Sequence, residues 1–272
     1  FRRVLFRSVV VVNHRLGPFG YMAHPALSAE SPRGVSGNYG QLDLIAALEW
    51  VRDNIEGFGG NPDNVTIFGE SGGGGKVLSL MTSPLAKGLF HKAICQSGMA
   101  GPSDNVINPA SSLAAAEAKG EEMVARIGVD GEEDVLAALR ALPWSQIVAA
   151  LDKEPAFEYS PNVDGAWYMP YTMEDTFRAR LHNDVPFIAG ANSGDMEGLI
   201  EGFIYDMPWI ADNNRSNVFA YVFSHVPENW SAQGVLAYHG IELVYLFNYQ
   251  LSFVSHYLLG LTGLDEDPST DG

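Results

Sequence analysis

The sequence predicts an α/β fold in which helices flank a mostly parallel sheet. Short apolar, β-branched segments, typical of buried strands, alternate along the chain with segments whose apolar residues recur at helical spacing. At 272 residues, 46% of them hydrophobic and 18% charged, the chain is long enough for one large core. We find no internal repeat or linker that would divide it. Functional sites of such sheets lie at the carboxyl ends of the strands.

The first predicted strand is Val9–Val12, a continuous β-branched run typical of a strand buried on both faces. Residues 1–8 before it resemble the translation of a sequencing-library adapter, so we exclude them and treat 9–272 as part of one domain. Apolar residues at helical spacing between positions 42 and 55 predict a surface helix with one buried face. A glycine-rich loop then leads into the next predicted strand, Val65–Phe68.

The later part of the chain continues the alternation of strands and helices. The acidic residues 132–134 are expected in the first turn of a helix, where they favour the positive end of its dipole. In order, the later elements are a helix at 73–82, the strand Lys92–Gln96, exposed helices at 111–127 and 131–141, and the strands Pro186–Asn192 and Val218–Phe223.

The stretch Gly69-Glu70-Ser71-Gly72-Gly73 follows the predicted strand at 65–68 and matches the pattern G-x-S-x-G. A serine at a sharp strand-to-helix turn lies in strained backbone, and small residues at 69 and 73 let strand and helix pass close together. The Gly72 amide, at the helix start, is the candidate oxyanion donor. A glycine loop without chemistry is the simplest alternative. A phosphate-binding loop is excluded, because Glu70 and Val77 occupy positions where its motif requires Gly and Ser or Thr.

A nucleophilic serine needs a base, and the base needs an acid that holds its tautomer. The chain order serine, acid, histidine required by this motif leaves His225 and His239, which follow the last predicted strand. We favour His239, because the flexible segment around it suits the presentation of an imidazole. Asp195 and Glu197 follow the strand that ends near Asn192 and are the candidate acids.

Four segments in order carry a resemblance to type-B carboxylesterases, the family of cholinesterases and bacterial para-nitrobenzyl esterases. They are Asn13-His-Arg-Leu-Gly-Pro-Phe-Gly-Tyr21, Gly37-Asn-Tyr-Gly-Gln-Leu-Asp43, Phe58-Gly-Gly-Asn-Pro-Asp-Asn-Val-Thr-Ile-Phe-Gly-Glu-Ser-Gly-Gly73 and Gln96-Ser-Gly98. The similarity continues through Pro161–Gly165, Gly190–Asn192 and His239–Phe247. The resemblance implies an α/β-hydrolase fold, hydrolysis of carboxylic esters through an acyl-enzyme, and no cofactor.

The resemblance also implies roles for individual residues. Ser71 matches the nucleophile of the family and His239 its base. Counting from Asn192 places Asp195 at the position of the acid, whereas Glu197 with its following glycine matches the family's dipeptide two residues late. We favour Asp195, because the distance from the end of the strand fixes where a carboxylate can reach.

Two further residues and one expected absence complete the comparison with the family. Glu70 matches a buried glutamate that lines the site, and Gly72 replaces the usual alanine but still offers its amide. The family's glycine-rich loop, which supplies other oxyanion amides, has no match and is expected before Val9. The strand that leads into that loop belongs between those at 9–12 and 65–68. We therefore expect a chain truncated at both ends, with a gap in its sheet or a new pairing across it, and with little or no activity alone.

Composition limits the partners. The net charge of -17 argues against nucleic acid and anionic membranes. A single cysteine, Cys95, offers neither an internal disulfide nor a metal cluster. The most apolar tract, residues 241–261, is interrupted by polar residues, so no membrane span is expected. The expected partner is a small-molecule ester, without metal, while localisation and oligomeric state stay open. A non-catalytic cholinesterase-like binding module and an acyl-transferring or lactone-cleaving hydrolase also stay open.

Overall fold

The structure, a computed structural model, describes residues 8–99, 111–151, 159–196 and 198–247. The strands among them are β1 (Thr66–Glu70), β2 (Lys92–Gln96), β3 (Ser111–Ser112), β4 (Asn162–Val163), β5 (Phe187–Asn192) and β6 (Val218–Phe223). Four form one parallel sheet in the order β1-β2-β5-β6, and β3 pairs with β4 in a separate short ladder. The α/β class with a mostly parallel sheet is confirmed.

The carboxyl ends of the four long strands lie at one edge of the main sheet, because every pair is parallel and in direct register. Gly69 of β1 lies opposite Cys95 of β2, which lies opposite Ala189 of β5. The segments that follow Glu70 and Gln96 therefore leave the sheet side by side, as parallel topology requires of a shared site.

Helices connect these strands. In chain order they are α1 (Gly17–Tyr21), α2 (Pro25–Glu30), α3 (Tyr39–Asn54), α4 (Gly72–Thr82), α5 (Leu113–Ile127), α6 (Val135–Ala141), α7 (Trp144–Ala149), α8 (Met173–Arg178), α9 (Leu199–Asn213), α10 (Glu228–Ala232) and α11 (Glu242–Phe247), with 3-10 turns at Ile55–Phe58 and Pro84–Ala86. Over the described ranges, no helix combines the length and the apolar character needed to cross a membrane. The part of the apolar tract from residue 248 onward lies outside the described residues.

Side-chain caps fix where two of the predicted helices begin. Ser112 caps α5 by accepting a hydrogen bond from the amide of Ala115, 3.2 Å away. Asp134 caps α6 in the same way through the amide of Ala137, at 2.9 Å. The prediction that the acidic run occupies the first turn of a helix at 131–141 is therefore wrong: it precedes α6 and ends in the capping residue.

The buried apolar side chains of the described residues form two clusters. The larger joins α4, α8 and α9 to the main sheet, with Met81, Phe177 and Phe187 fully buried in it. The smaller surrounds Trp230 and Ile241, both fully buried, and lies on the chain that leads into α11. This second cluster anchors the segment that contains His239.

Polar side chains from two of the segments that carry the family resemblance stabilise the fold and lie outside the candidate site. Asn38 donates a hydrogen bond to the carboxylate of Asp164 at 3.2 Å and accepts one from the amide of Asn162 at 3.0 Å. All three side chains are buried. Arg15 forms a salt bridge with Asp43 of α3, with 2.7 Å between Nη2 and Oδ1.

The prediction of a strand at Val9–Val12 is wrong. These residues have no regular structure and are exposed, with Val11 88% accessible. A strand needs a neighbour for its backbone hydrogen bonds, and the described residues place no strand between this run and β1. Among the described strands, the sheet instead begins at β1, whose one neighbour is β2.

Candidate active site

Ser71 lies at the turn between β1 and α4. Its φ of 58° and ψ of −123° place it in backbone that only glycine adopts readily. The Ser71 amide donates a hydrogen bond of 2.8 Å to the carbonyl of Gln96 at the end of β2. The neighbouring strand therefore holds the strained turn and fixes where the hydroxyl leaves the backbone.

The glycines around Ser71 allow close packing of helix on strand, but not all in the way expected. A Cβ atom on Gly69 would lie 2.4 Å from the carbonyl carbon and oxygen of Gly73. One on Gly74 would lie 2.8 Å from the Cα of Gly98. A Cβ on Gly73 meets nothing within 4 Å. The expectation of a required small residue is met at Gly69, whereas Gly73 contributes its backbone and has room for a side chain.

Gly72 is the first residue of α4 and is exposed. An amide in the first turn of a helix has no acceptor within that helix. The Gly72 amide is therefore available at the position next to Ser71, where a donor to a tetrahedral oxyanion is needed.

Asp195 and His239 lie in hydrogen-bond contact. His239 Nδ1 lies 2.6 Å from Asp195 Oδ1, and the Asp195 side chain is fully buried. Its other oxygen, Oδ2, accepts hydrogen bonds from Ser97 Oγ at 2.6 Å and from the Asn192 amide at 2.9 Å. With the Met196 amide on Oδ1 at 3.0 Å, the carboxylate is held by four donors.

These contacts shift the pKa values of Asp195 and His239. Burial alone would raise the pKa of Asp195, but the hydrogen bonds from His239, Asn192 and Ser97 outweigh it and lower that pKa. The hydrogen bond to Asp195 raises the pKa of His239, with a further contribution from the charge of Glu70 and against the effect of burial. The pair thus favours a carboxylate beside an imidazole that accepts a proton readily.

The second imidazole nitrogen of His239 lies beside Glu70. Nε2 is 3.1 Å from Glu70 Oε1, but the approach lacks hydrogen-bond geometry. Among the described residues, this buried oxygen has no hydrogen-bond partner. The pKa of Glu70 is raised to about 7, chiefly by burial; the charge of His239 lowers it, and the charges of Glu242 and Asp195 raise it. Ser71 Oγ and His239 Nε2 are not hydrogen-bonded in this structure; such bonds are often long in unliganded enzymes.

Sequence reasoning missed two polar residues at this site, Ser97 and Glu242. Ser97 bonds Asp195 from a left-handed backbone conformation with φ of 47°. Glu242 is buried in the first turn of α11, where it accepts hydrogen bonds from Gln96 at 3.2 Å and Asn192 at 2.5 Å. A carboxylate three residues after the candidate base, at the start of a helix, was the available signal for Glu242.

The other candidate residues lie elsewhere or outside the description. Glu197, the alternative acid, falls outside the described residues, as do residues 1–7. His24 caps α2, His91 accepts from the Val65 amide, and His182 lies 2.7 Å from Asn214 Oδ1. Among the residues that are described, no group of three or more His, Cys, Asp or Glu side chains is arranged to hold a metal ion.

Comparison with known proteins identifies a common family. Residues 3–207 match the model of the carboxylesterase family. The chain is 40% identical over 188 residues to fumonisin B1 esterase of Sphingopyxis macrogoltabida, covering 69% of this chain and 33% of that protein. It is 35% identical over 210 residues to the cocaine esterase of Homo sapiens, covering 76% and 35%.

A solved structure agrees with the sequence comparison. A PNB esterase superposes with a TM-score of 0.70 and 26% identity, covering 86% of this chain and 56% of that one. Its fold, the α/β-hydrolase fold, is that of the present chain. The chain spans about a third of the length of the curated relatives it matches.

Proposed function

The chain belongs to the carboxylesterase family, and we propose that the protein that carries it hydrolyses carboxylic esters through an acyl-enzyme formed on Ser71. The observation that carries the proposal is the hydrogen bond of 2.6 Å between His239 and the buried Asp195, at the edge of the sheet where Ser71 occupies a strained turn. A histidine oriented by a buried carboxylate is the base that a nucleophilic serine needs.

The proposed reaction assigns a role to each of these groups. His239 takes the proton of Ser71 Oγ as the oxygen attacks the ester carbonyl, and Asp195 stabilises the imidazolium that forms. The amide of Gly72 donates to the oxyanion. His239 then returns the proton to the leaving alcohol, and the same groups activate the water that hydrolyses the acyl-enzyme.

We propose Asp195 rather than Glu197 as the acid. Four donors hold the Asp195 carboxylate, and its Oδ1 lies on the Nδ1 side of the imidazole, which leaves Nε2 for proton transfer. Ser97 and Glu242 are positioning residues in this scheme. Ser97 fixes Asp195 directly. Glu242 accepts a hydrogen bond from the side-chain amide of Asn192, whose backbone amide donates to Asp195.

The proposed substrates are small carboxylic esters. The two curated relatives named above are called esterases, which supports this class and disfavours the non-catalytic binding module. Short-chain nitrophenyl esters are suitable first probes, because their hydrolysis is followed directly by absorbance.

The test is active-site labelling of the full-length protein, with all sequence that flanks this chain in its gene. An organophosphate is expected to modify Ser71, identified by mass spectrometry, and to abolish hydrolysis of a nitrophenyl ester. Ser71→Ala is expected to lower kcat by about 10⁴- to 10⁶-fold, and the exposed Ser231→Ala serves as the control. Turnover without label on Ser71 would sink the mechanism, and a folded protein without turnover would favour a binding role.

A pair of substitutions tests the acid. Asp195→Asn is expected to lower kcat by about 10⁴-fold, because an amide holds the imidazole in the wrong tautomer. Glu197→Gln is expected to retain most of the rate. Loss of rate in Glu197→Gln alone would show that the acid is misassigned.

A further inference from the structure

The structure places an ammonium group beside the candidate oxyanion donor. Lys76 lies one turn along α4 from Gly72, and its Nζ donates a hydrogen bond of 3.1 Å to the Gly72 carbonyl. A Cβ atom on Gly72 would lie 3.7 Å from Nζ. The side chain therefore folds back along the helix toward Ser71 instead of extending into water.

This ammonium has no anionic partner in the described part of the chain. Its hydrogen bond is to a backbone carbonyl, and no described carboxylate lies within ion-pair distance. Burial lowers the pKa of Lys76, with no charged group contributing. The cation is also near the positive end of the α4 dipole, where a positive charge is unfavourable. An anion brought to this position would relieve both costs.

The rest of the site has the opposite charge. Glu70, Asp195 and Glu242 lie on the side of His239, and the chain as a whole carries -17. A leaving alcohol must receive its proton from His239 Nε2, which is 3.1 Å from Glu70, so a carboxylate on the alcohol part meets like charge. A carboxylate on the acyl part would instead meet a cation if it came to Lys76, whose Nζ lies beside Gly72, the candidate oxyanion donor.

We propose that Lys76 makes the site selective for esters whose acyl part carries a carboxylate, such as monoesters of succinate or glutarate. The proposal rests on the esterase function proposed above and names the substrate class of that site. Lys76 Nζ binds the free carboxylate while the Gly72 amide binds the oxyanion, so one turn of α4 holds both negative charges. Lys76 takes no part in proton transfer and acts on specificity.

The experiment compares two esters that differ in one group. Monoethyl glutarate and ethyl pentanoate have acyl chains of equal length, one ending in a carboxylate and one in a methyl group, and alkali uptake reports hydrolysis of both by the full-length protein. Lys76→Met is expected to reduce the ratio of kcat/KM for the acidic over the neutral ester by about tenfold. Lys76→Arg keeps the charge and is expected to retain most of the ratio. Lys87→Met, at an exposed lysine, is the control and leaves the ratio unchanged.

A second measurement needs no variant. In the wild-type protein, added NaCl is expected to reduce kcat/KM for monoethyl glutarate more than for ethyl pentanoate, because salt screens the charge pair. An equal fall for both esters when NaCl is added to the wild-type protein, or equal ratios in Lys76→Met and wild type, would overturn the proposal. If the wild-type protein hydrolyses neither ester nor a nitrophenyl ester, the proposed esterase function itself fails.

Discussion

At the scale of single residues, the site gathers carboxylates around one imidazole. Asp195 lies at Nδ1 of His239 and Glu70 at Nε2, and both raise its pKa. The pKa of Glu70 is itself raised to about 7, chiefly by burial, and the charges of Glu70 and His239 act on each other. The acid limb of a pH profile should then report the pair and not the histidine alone.

Glu70→Gln is expected to shift the acid limb of kcat/KM to lower pH. His239 acts as a base only when neutral, so activity rises as pH increases through its pKa. The negative charge of Glu70 raises that pKa; its removal therefore lowers it, and the neutral imidazole persists at lower pH. Hydrolysis of a neutral nitrophenyl ester across pH 5 to 8, roughly the range in which histidine titrates, measures the shift.

The control for this prediction is Glu56→Gln, which removes an exposed carboxylate in the 3-10 turn after α3. It should leave the acid limb in place. An unchanged limb in Glu70→Gln, or a shift to higher pH, would show that the Glu70 charge does not act on His239.

The candidate residues found in the sequence are those with a local signal. Ser71 stands in a motif behind a strand, and Asp195 and His239 follow strand ends in the required order. Ser97 and Glu242 were missed as site residues because their importance depends on a partner far along the chain. Ser97 contacts Asp195, 98 positions later, and Glu242 contacts Gln96, 146 positions earlier. No spacing rule reports such pairs.

At the scale of elements, the strand β1, the turn at Ser71 and the helix α4 form one packed unit. The helix can approach the strand because Gly69 faces the backbone of Gly73. Any side chain at 69 must push the helix away from the sheet, and Ser71 lies between the two. The geometry of the nucleophile is therefore coupled to the packing of the unit.

Gly69→Ala is expected to destabilise the protein by about 1–3 kcal/mol and to lower kcat, because its Cβ would lie 2.4 Å from backbone atoms that cannot rotate away. Gly73→Ala is the matched control. Its Cβ meets nothing within 4 Å, and alanine in a helix is favoured over glycine by up to about 1 kcal/mol. Urea unfolding and ester hydrolysis of the full-length variants measure both effects; equal losses in the two would contradict this packing account.

The sequence correctly predicted the strands whose apolar residue pattern is matched by strand neighbours in the sheet. The strands at 92–96, 187–192 and 218–223 lie within one residue of their predicted bounds. The valine run at 9–12 has the strongest β pattern in the chain and forms no strand, because strand formation depends on a neighbour as well as on propensity. The start of α6 was misjudged because Asp134 acts as a cap instead of a first-turn residue.

At the scale of the whole molecule, β1 and β6 are the edge strands of the main sheet that the described residues form. Apolar side chains are exposed near both: Phe68 on β1 is 45% accessible and Phe219 on β6 is 56% accessible. An unpaired strand edge with exposed apolar neighbours invites pairing with another chain. No strand of the described residues pairs with the outer edge of β1. On the face of the sheet, the ring centroids of Phe68 and Phe247 lie 6.2 Å apart.

The 272-residue chain, produced alone, is therefore expected to self-associate through the edge of β1. Ser71 donates its amide hydrogen bond to β2, and donors alternate in direction along a strand, so the amide of Phe68 points to the open edge. Phe68→Pro removes that donor and obstructs strand addition without breaking the pairing to β2. Phe68→Ala removes the same exposed ring but keeps the amide.

Sedimentation analysis over a range of protein concentrations should show the wild-type chain as concentration-dependent oligomers, with Phe68→Pro closer to a monomer than Phe68→Ala. Equal effects of the two substitutions would assign the association to the apolar face instead of the edge. A wild-type chain that stays monomeric at high concentration would contradict the prediction of self-association.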